Sequence, residues 1–351
     1  MTSSTQLRAA IVGSTGYGGV ELIRLLQSHP YVTVTSVISS STAGTPIAEG
    51  FPHLNEICTD LLDGIDVELI RSKADVVFLA TPNGISMKLA PDFLAAGLKV
   101  IDLSGDFRLK NGDTYQEWYK HEPAPSEWVE RAVYGLAEVY GEQVVGSDFI
   151  SNPGCFTTTS LLALYPAVKA GWIDPDSIII DAKSGVSGAG RGASFGTHYS
   201  EINENFKAYK INKHQHIPEI EQVLSEAAGR SVITTFTTHL VPMTRGIMAT
   251  SYATMTEKRK ASEFVELYRQ FYEGRSFVRI YDDGKWPATK FVYGSNYCDI
   301  GFSVDERTGR ITIISVTDNL VKGAAGQAIQ NLNLSMGWDE TLGLQFTPVY
   351  P

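Results

Sequence analysis

The chain has 351 residues, 43% of them hydrophobic and 19% charged, enough for two domains with sizeable cores. Its 29 basic and 39 acidic residues give a formal charge of −10, which argues against bulk binding to nucleic acid or to an anionic membrane surface. Three cysteines, Cys58, Cys155 and Cys298, lie far apart with no CxxC pair, which argues against a disulfide framework and against a cysteine zinc site. The opening MTSSTQL has no charged region followed by an apolar core. No apolar run approaches the ~20 residues that span a bilayer. The expectation is a cytoplasmic protein with no membrane partner.

From residue 7 short apolar strands alternate with helices. LRAAIVG reads as a buried strand, and the following STGYGGVELIRLLQSHP turns into a helix with Val20, Ile23 and Leu26 on one face. VTVTSVI is a second strand; ADVVFLATP and GLKVIDLSG are later ones, separated by the helical GISMKLAPDFLAAG. That rhythm predicts parallel βαβ units, hence a doubly wound, Rossmann-type α/β domain over residues 1–150. The texture then changes. LLALYPAVKAG reads as an apolar helix, and SIIIDAKSG, VITTFTTHLVPM, GIMATSYATM, FVRIY, YCDIGFSVD and RITIISVTD as β-branched or aromatic strands. ASEFVELYRQFYEG is a helix among them. Residues 151–318 are therefore expected to form an α+β domain with a mixed or antiparallel sheet, and the tail NLVKGAAGQAIQNLNLSMG returns to helix.

Between the first strand and helix, IVGSTGYGGVEL spaces Gly13, Gly16 and Gly19 as GxxGxxG, a departure from the dinucleotide pattern GxGxxG. The physical need is still met: a tight turn over Gly13, Ser14, Thr15, Gly16, Tyr17 and Gly18 lets helix-start N–H groups approach a pyrophosphate. A glycine-rich turn without a ligand is the bland alternative. After the second strand, SSSTAGTP (residues 39–46) has no acid before Glu49. Ser39, Ser40, Ser41 and Thr42 can hydrogen-bond a 2′-phosphate that no carboxylate repels, so the expected cofactor is NADP(H), although no Arg or Lys stands in the loop.

SNPGCFTTTS places Cys155 after Pro153-Gly154 on the first turn of the apolar helix, where the helix dipole favours a thiolate. A lone cysteine is otherwise most often a buried apolar side chain, the reading given to Cys58 and Cys298. KHQHIPEIE holds His214 and His216 just before Pro218, a good first residue for a helix. In an extended segment the two rings point in opposite directions, so one faces the cysteine as its base. No third ligand accompanies them, and no metal is expected. DLSGDFRL carries Ser104, Asp106 and Arg108 past a parallel strand, on the edge where such sheets bind ligands, with mutual pairing of Asp106 and Arg108 as the plain alternative. KSGVSGAGR is a glycine-serine loop suited to close approach, and VPMTRG offers Arg245 to a carboxylate or phosphate.

The ordered series GSTGYGG, ATPNG, DLSGDFRL, YGLAE, SNPGC, KSGVSGAGR, HQHIPEIEQ, HLVPMTRG and DNLVKGAAGQAIQNLN resembles the N-acetyl-γ-glutamyl-phosphate reductase family of the semialdehyde dehydrogenases, over residues 9 to about 343. The resemblance implies an NADP-binding Rossmann domain completed by a C-terminal helix over about 319–351, and an inserted domain for catalysis and oligomerisation. It implies Cys155 as nucleophile and one of His214 and His216 as base. Cofactor contacts extend by it to Thr81, Pro82, Ser184, Gly185 and Gly188, with Asn319 near the nicotinamide. Substrate contacts fall by it on Ser104, Arg108, Asn152, Ser187, Glu219 and Arg245. Gln215 stands where the family usually has Arg. The implied activity is NADPH-dependent reduction of a small acyl phosphate to an aldehyde through a cysteine thioester, in arginine biosynthesis, by a homotetramer or homodimer. A sister enzyme of carrier-protein-linked lysine biosynthesis, reducing an aminoadipyl phosphate, is the near alternative; the chain lacks the basic cluster that docking an acidic carrier needs. A non-catalytic dinucleotide sensor is the alternative of another class, and it needs neither Cys155 nor the histidine pair.

Overall fold

The computed structural model of the protein describes residues 6–351; the opening residues 1–5, read above for a leader pattern, lie outside them. The chain divides into two compact units. One runs up to Gln116 and adds Lys120–Pro153 and Ala324–Gln345; the other comprises Glu117–Tyr119, Gly154–Gly323 and Phe346–Pro351.

The first unit holds β1 (Leu7–Val12), β2 (Val32–Ile38), β3 (Val76–Leu79), β4 (Lys99–Asp102), β5 (Val133–Tyr134) and β6 (Phe149–Ser151). All six pair in parallel, in the order β2-β1-β3-β4-β6-β5. β3 is VVFL, buried at every position, as a strand covered on both faces requires. Val77, Leu79, Phe93, Val100, Phe107 and Phe149 form one apolar cluster around it. The chain leaves β1 toward β2 on one side while β3 lies on the other, which makes the carboxyl end of β1 the switch point where such sheets take ligands.

The second unit carries β7 (Ile179–Ser184), β8 (Lys207–Tyr209), β9 (Thr235–Leu240), β10 (Ile247–Thr254), β11 (Val278–Ile280), β12 (Cys298–Asp305) and β13 (Arg310–Thr317). Their order is β11-β12-β13-β10-β7-β9-β8, with β11/β12 and β7/β9 parallel and the rest antiparallel, so the sheet is mixed. β10 alternates buried and half-buried residues and is covered on one face. That cover is the helix Cys155–Lys169, buried from Phe156 through Val168. Ser315 Oγ donates to the Thr159 carbonyl (2.9 Å) and the Thr159 and Thr317 hydroxyls meet at 2.6 Å, seating the helix on β13. Pro166 inside the helix cannot donate to the Leu162 carbonyl; Tyr272 Oη donates there instead, at 2.7 Å.

The tail differs from its expected extent. After a π-helical turn over Val321–Ala325, the last helix covers only Gly326–Ser335. Gly337 adopts φ 68°, a left-handed conformation that stops the helix, and residues 336–351 continue without helix. The Gln/Asn-rich run of this helix is buried: Gln327, Gln330, Asn331 and Asn333 have no exposure. Their amides are engaged, Gln327 and Asn331 with the Gly135 carbonyl, Gln330 with Glu138 and Glu340, Asn333 with His29.

Candidate active site

In the first unit the glycine turn is shaped by contact. Gly13 sits at φ 82°, and a β-carbon there would lie 2.3 Å from the Ala80 carbonyl oxygen at the end of β3. A β-carbon on Gly19 would lie 2.4 Å from the Gly13 carbonyl oxygen, so this glycine lets helix Tyr17–Leu26 press against the turn. Gly18 opens to free space. Ser14 is buried with its Oγ donating to the Ile38 carbonyl (3.0 Å), which ties the turn to the end of β2. The helix begins at Tyr17 with no side-chain cap, leaving first-turn N–H groups for an anion. Past β2, Ser39 is buried and its hydroxyl meets those of Thr42 (2.9 Å) and Ser41 (3.4 Å), while Ser40 is exposed. Thr81 Oγ1 pairs with Ser86 Oγ at 2.8 Å, and Pro82 beside it is exposed. A turn without room for β-carbons at Gly13 and Gly19, a bare helix start and a hydroxyl turn fit a dinucleotide.

The DLSGDFRL segment works mainly on backbone. Burial raises the Asp102 carboxyl to about 6, against hydrogen bonds from Ser86 and Ser104 that favour its ionised form. The Asp106 carboxylate accepts from Gly84 N, Met87 N and Tyr115 Oη, while Arg108 donates from Nε to the Asn152 carbonyl (2.8 Å) and from Nη2 to the Leu103 carbonyl (2.7 Å). Asn152 is 1% exposed. Its N–H donates to the Asp102 carbonyl, its Nδ2 to the Ala324 carbonyl, and its Oδ1 accepts from Asn331.

In the second unit Cys155 is the first helical residue and is partly exposed, whereas Cys58 and Cys298 are buried. Burial pushes the Cys58 thiol up to about 11. Gly154, the helix cap, donates its N–H to Glu219 Oε1 at 2.9 Å. A β-carbon on Gly154 would lie 2.3 Å from His216 Nε2, so this imidazole edge rests on the residue next to the nucleophile position. From the other side Gly323 comes in: a β-carbon there would be 2.7 Å from Cys155 Cβ.

The histidine pair corrects two expectations. Gln215 is not extended but helical (φ −62°, ψ −13°), so His214 and His216 fall on one side with ring centroids 4.7 Å apart. The helix starts at His216, and Pro218 is its third residue, where a missing N–H is still harmless. The two rings are nonetheless unlike. His214 lies among Phe156, Tyr209 and Phe236, and its Nδ1 accepts the His216 N–H. Burial, then the neighbouring His216 and Lys210, push its pKa far down, to about 2, so it stays neutral. Gln215, at the family's usual arginine position, accepts from Lys210 Nζ at 3.0 Å.

The two anion-grip loops form one construction. Val186 N and Ser187 N donate to the Met243 and Thr244 carbonyls, and Gly185 has backbone atoms of residues 243–245 within 2.9 Å of its β-position. Asn319 closes it, accepting from Gly246 N (2.8 Å) and donating to Ser187 Oγ (3.0 Å). Ser184 Oγ lies 2.9 Å from the β-position of Gly188. Buried Asp318 holds Gly294 N, Leu320 N and Val321 N and pairs with Arg245 at 3.7 Å. The sequence reading missed Asp318, Gly323 and Asn331, although all three lie in DNLVKGAAGQAIQNLN; only contacts distant in the chain show what they do. Among the described residues no group of three or more His, Cys, Asp or Glu side chains is placed to hold a metal ion, and no helix is long and apolar enough to cross a membrane.

Comparison with known proteins matches residues 8–147 to the semialdehyde dehydrogenase NAD binding domain and residues 155–319 to the semialdehyde dehydrogenase dimerisation domain. N-acetyl-γ-glutamyl-phosphate reductases of Geobacillus sp. (strain WCH70) and Brevibacillus brevis are 56% and 54% identical over 345 residues, 98% of this chain and all of theirs. Aspartate semialdehyde dehydrogenase II of Vibrio cholerae, complexed with ASA, superimposes with a TM-score of 0.72 at 20% identity, covering 94% of this chain and 98% of its own. The Candida albicans aspartate semialdehyde dehydrogenase with NADP gives 0.67 at 17%, with the same coverage. At those identities the solved structures share the fold.

Proposed function

The chain belongs to the semialdehyde dehydrogenase family, among the N-acetyl-γ-glutamyl-phosphate reductases, and from that membership we propose that it reduces N-acetyl-L-glutamyl 5-phosphate to N-acetyl-L-glutamate 5-semialdehyde and phosphate with NADPH. The observation that carries the mechanism is the His216 imidazole edge against Gly154, beside the Cys155 helix start.

His216 takes the proton of Cys155, and the thiolate, favoured by the helix N-terminus, attacks the acyl carbonyl. The carbon–oxygen bond to phosphate breaks, phosphate leaves with its electron pair, and a thioester to Cys155 remains. NADPH, when bound, would supply the hydride for this thioester carbon. The carbon–sulfur bond then breaks to release the aldehyde, and His216 returns its proton to the departing sulfur. His214 does not share this work: a ring that stays neutral and gives its Nδ1 to a backbone N–H is a wall, not a base. Glu219 and Arg108 hold the backbone on either side of Pro153. Arg245, with Ser187 and Asn319 beside it, is the candidate grip for a substrate anion, and Ser104 borders the Asp102 carboxylate.

Residues 13–18, the 39–41 serines, Thr81 and Pro82 would hold the cofactor in the first unit. A homodimer or homotetramer in the cytoplasm is the accompanying expectation, supported by the dimerisation-domain match. The test is phosphate-dependent reduction of NADP+ by N-acetylglutamate semialdehyde, run in parallel with NAD+ and with Cys155→Ala. Turnover with NADP+ that needs both phosphate and Cys155 supports the reading; near-normal activity in the alanine variant overturns it.

A further inference from the structure

We propose that Asn331 is a positioning residue for Cys155, acting through Asn152 on the peptide run that leads into the nucleophile. The inference rests on the role assigned to Cys155 above.

Asn152 lies three residues before Cys155, and every kind of polar group it has is used. Its N–H goes to the Asp102 carbonyl at 2.7 Å, its carbonyl takes Arg108 Nε at 2.8 Å, its Nδ2 donates to the Ala324 carbonyl at 3.1 Å, and its Oδ1 accepts from Asn331 Nδ2 at 3.0 Å. The first two fix its backbone; the last two fix its side-chain rotamer. Asn331 is fully buried, and the same Nδ2 also donates to the Gly135 carbonyl at 2.7 Å. Both hydrogens of one amide are therefore spent on two carbonyl-type acceptors, which sets its orientation without ambiguity. The orientation has a cost. Asn331 Oδ1 is buried with no hydrogen-bond partner among the described residues. An amide that leaves its own acceptor unsatisfied so as to deliver two donors is the pattern expected where geometry, not stability, is being served.

No other side chain replaces it in place. Aspartate has the same shape but turns two donors into acceptors facing acceptors; leucine takes the Asn331 donor from Asn152 Oδ1 and leaves the Gly135 carbonyl with Gln327 alone. The fit is also closed from the opposite direction, because a β-carbon on Gly135 would lie 2.3 Å from Asn331 Nδ2 and 2.8 Å from Ile150 Cγ2. Ile150 belongs to β6, the strand that runs into Asn152. Gly135→Ala thus displaces the Asn331 amide without touching its chemistry.

The experiment compares Asn331→Asp, Asn331→Ser and Gly135→Ala with the wild-type chain in four readings: kcat, KM, NADPH affinity, and the pH profile of Cys155 alkylation by iodoacetamide. The expected signature is a kcat loss of about 10–100-fold, as a sub-ångström displacement of a nucleophile produces, with slower alkylation and its midpoint moved to higher pH. KM and NADPH affinity of the folded protein stay near wild type, while the melting temperature falls as buried acceptors lose their donors. A role confined to stability moves the melting temperature and leaves the alkylation profile of the folded fraction unchanged; that result overturns the proposal. So does a wild-type kcat and alkylation profile in Asn331→Asp. If the aspartate variant does not fold, Gly135→Ala and Asn331→Ser decide by the same readings. Alkylation needs no substrate, so a wild-type enzyme inactive toward the proposed acyl phosphate defeats the function reading while the positioning of the thiol is still measured.

Discussion

Gly154 and His216 are in contact across the start of the cysteine helix: any β-carbon on Gly154 would stand 2.3 Å from Nε2 and 2.7 Å from both flanking ring carbons. Gly154 has φ −71° and ψ 153°, values open to every residue. The glycine is therefore required for room, not for backbone freedom, and the room is taken by the imidazole.

Gly154→Ala forces the His216 ring away from residue 154 without straining the backbone there. The expected result is a fall in kcat of about 100-fold, the scale of a misplaced catalytic group, with NADPH affinity unchanged. Steady-state kinetics beside a fluorescence titration of NADPH checks it. Retention of wild-type kcat means that the imidazole is not where the proton is handled.

His214 makes the folded chain acid-sensitive. Its folded pKa lies far below the ordinary 6.5, because burial among aromatic rings disfavours the imidazolium, so the stability tied to its neutral form is present above pH 6.5 and is lost as pH falls. By pH 5 the loss from this one group is about 2 kcal/mol. His214→Asn keeps an acceptor for the His216 N–H yet removes the titration. Urea unfolding between about pH 7.5 and about pH 5 is expected to show a shallower decline in the variant. Equal slopes contradict the assignment.

Tyr272→Phe tests the repair over Pro166. Without the hydroxyl the Leu162 carbonyl has lost both its helix donor and the substitute, inside a helix that is buried throughout. The expected cost is about 1–3 kcal/mol in urea unfolding, with kcat unaffected in the folded protein. A neutral substitution shows that the carbonyl finds another partner.

The legible parts of the fold were those whose signal is local. VTVTSVI is β2, residue for residue, and the runs around β12 and β13 carry enough β-branched residues to be read without partners. β5, β6 and β8 span two or three residues and have no period to detect. At the site, Cys155 and the histidine pair were visible from residue type and setting. The facing of the histidines was not, because it depends on one helical residue, Gln215, that an extended reading had no reason to bend. Glu219, Asn152 and Asn319 enter only through the family resemblance, and their hydrogen bonds go largely to backbone and to distant side chains, a use that sequence spacing does not disclose.

The placement of Asn331 has a consequence for how the protein is made. Asn152 waits for a donor that lies 179 positions further along the chain. A nascent polypeptide therefore carries its cysteine from early in translation, yet cannot complete the hydrogen bonds around Asn152 until the last helix has left the ribosome. Thiol reactivity is expected to appear late in biogenesis, and a chain released before residue 331 carries Cys155 with the Asn152 side chain still lacking its partner.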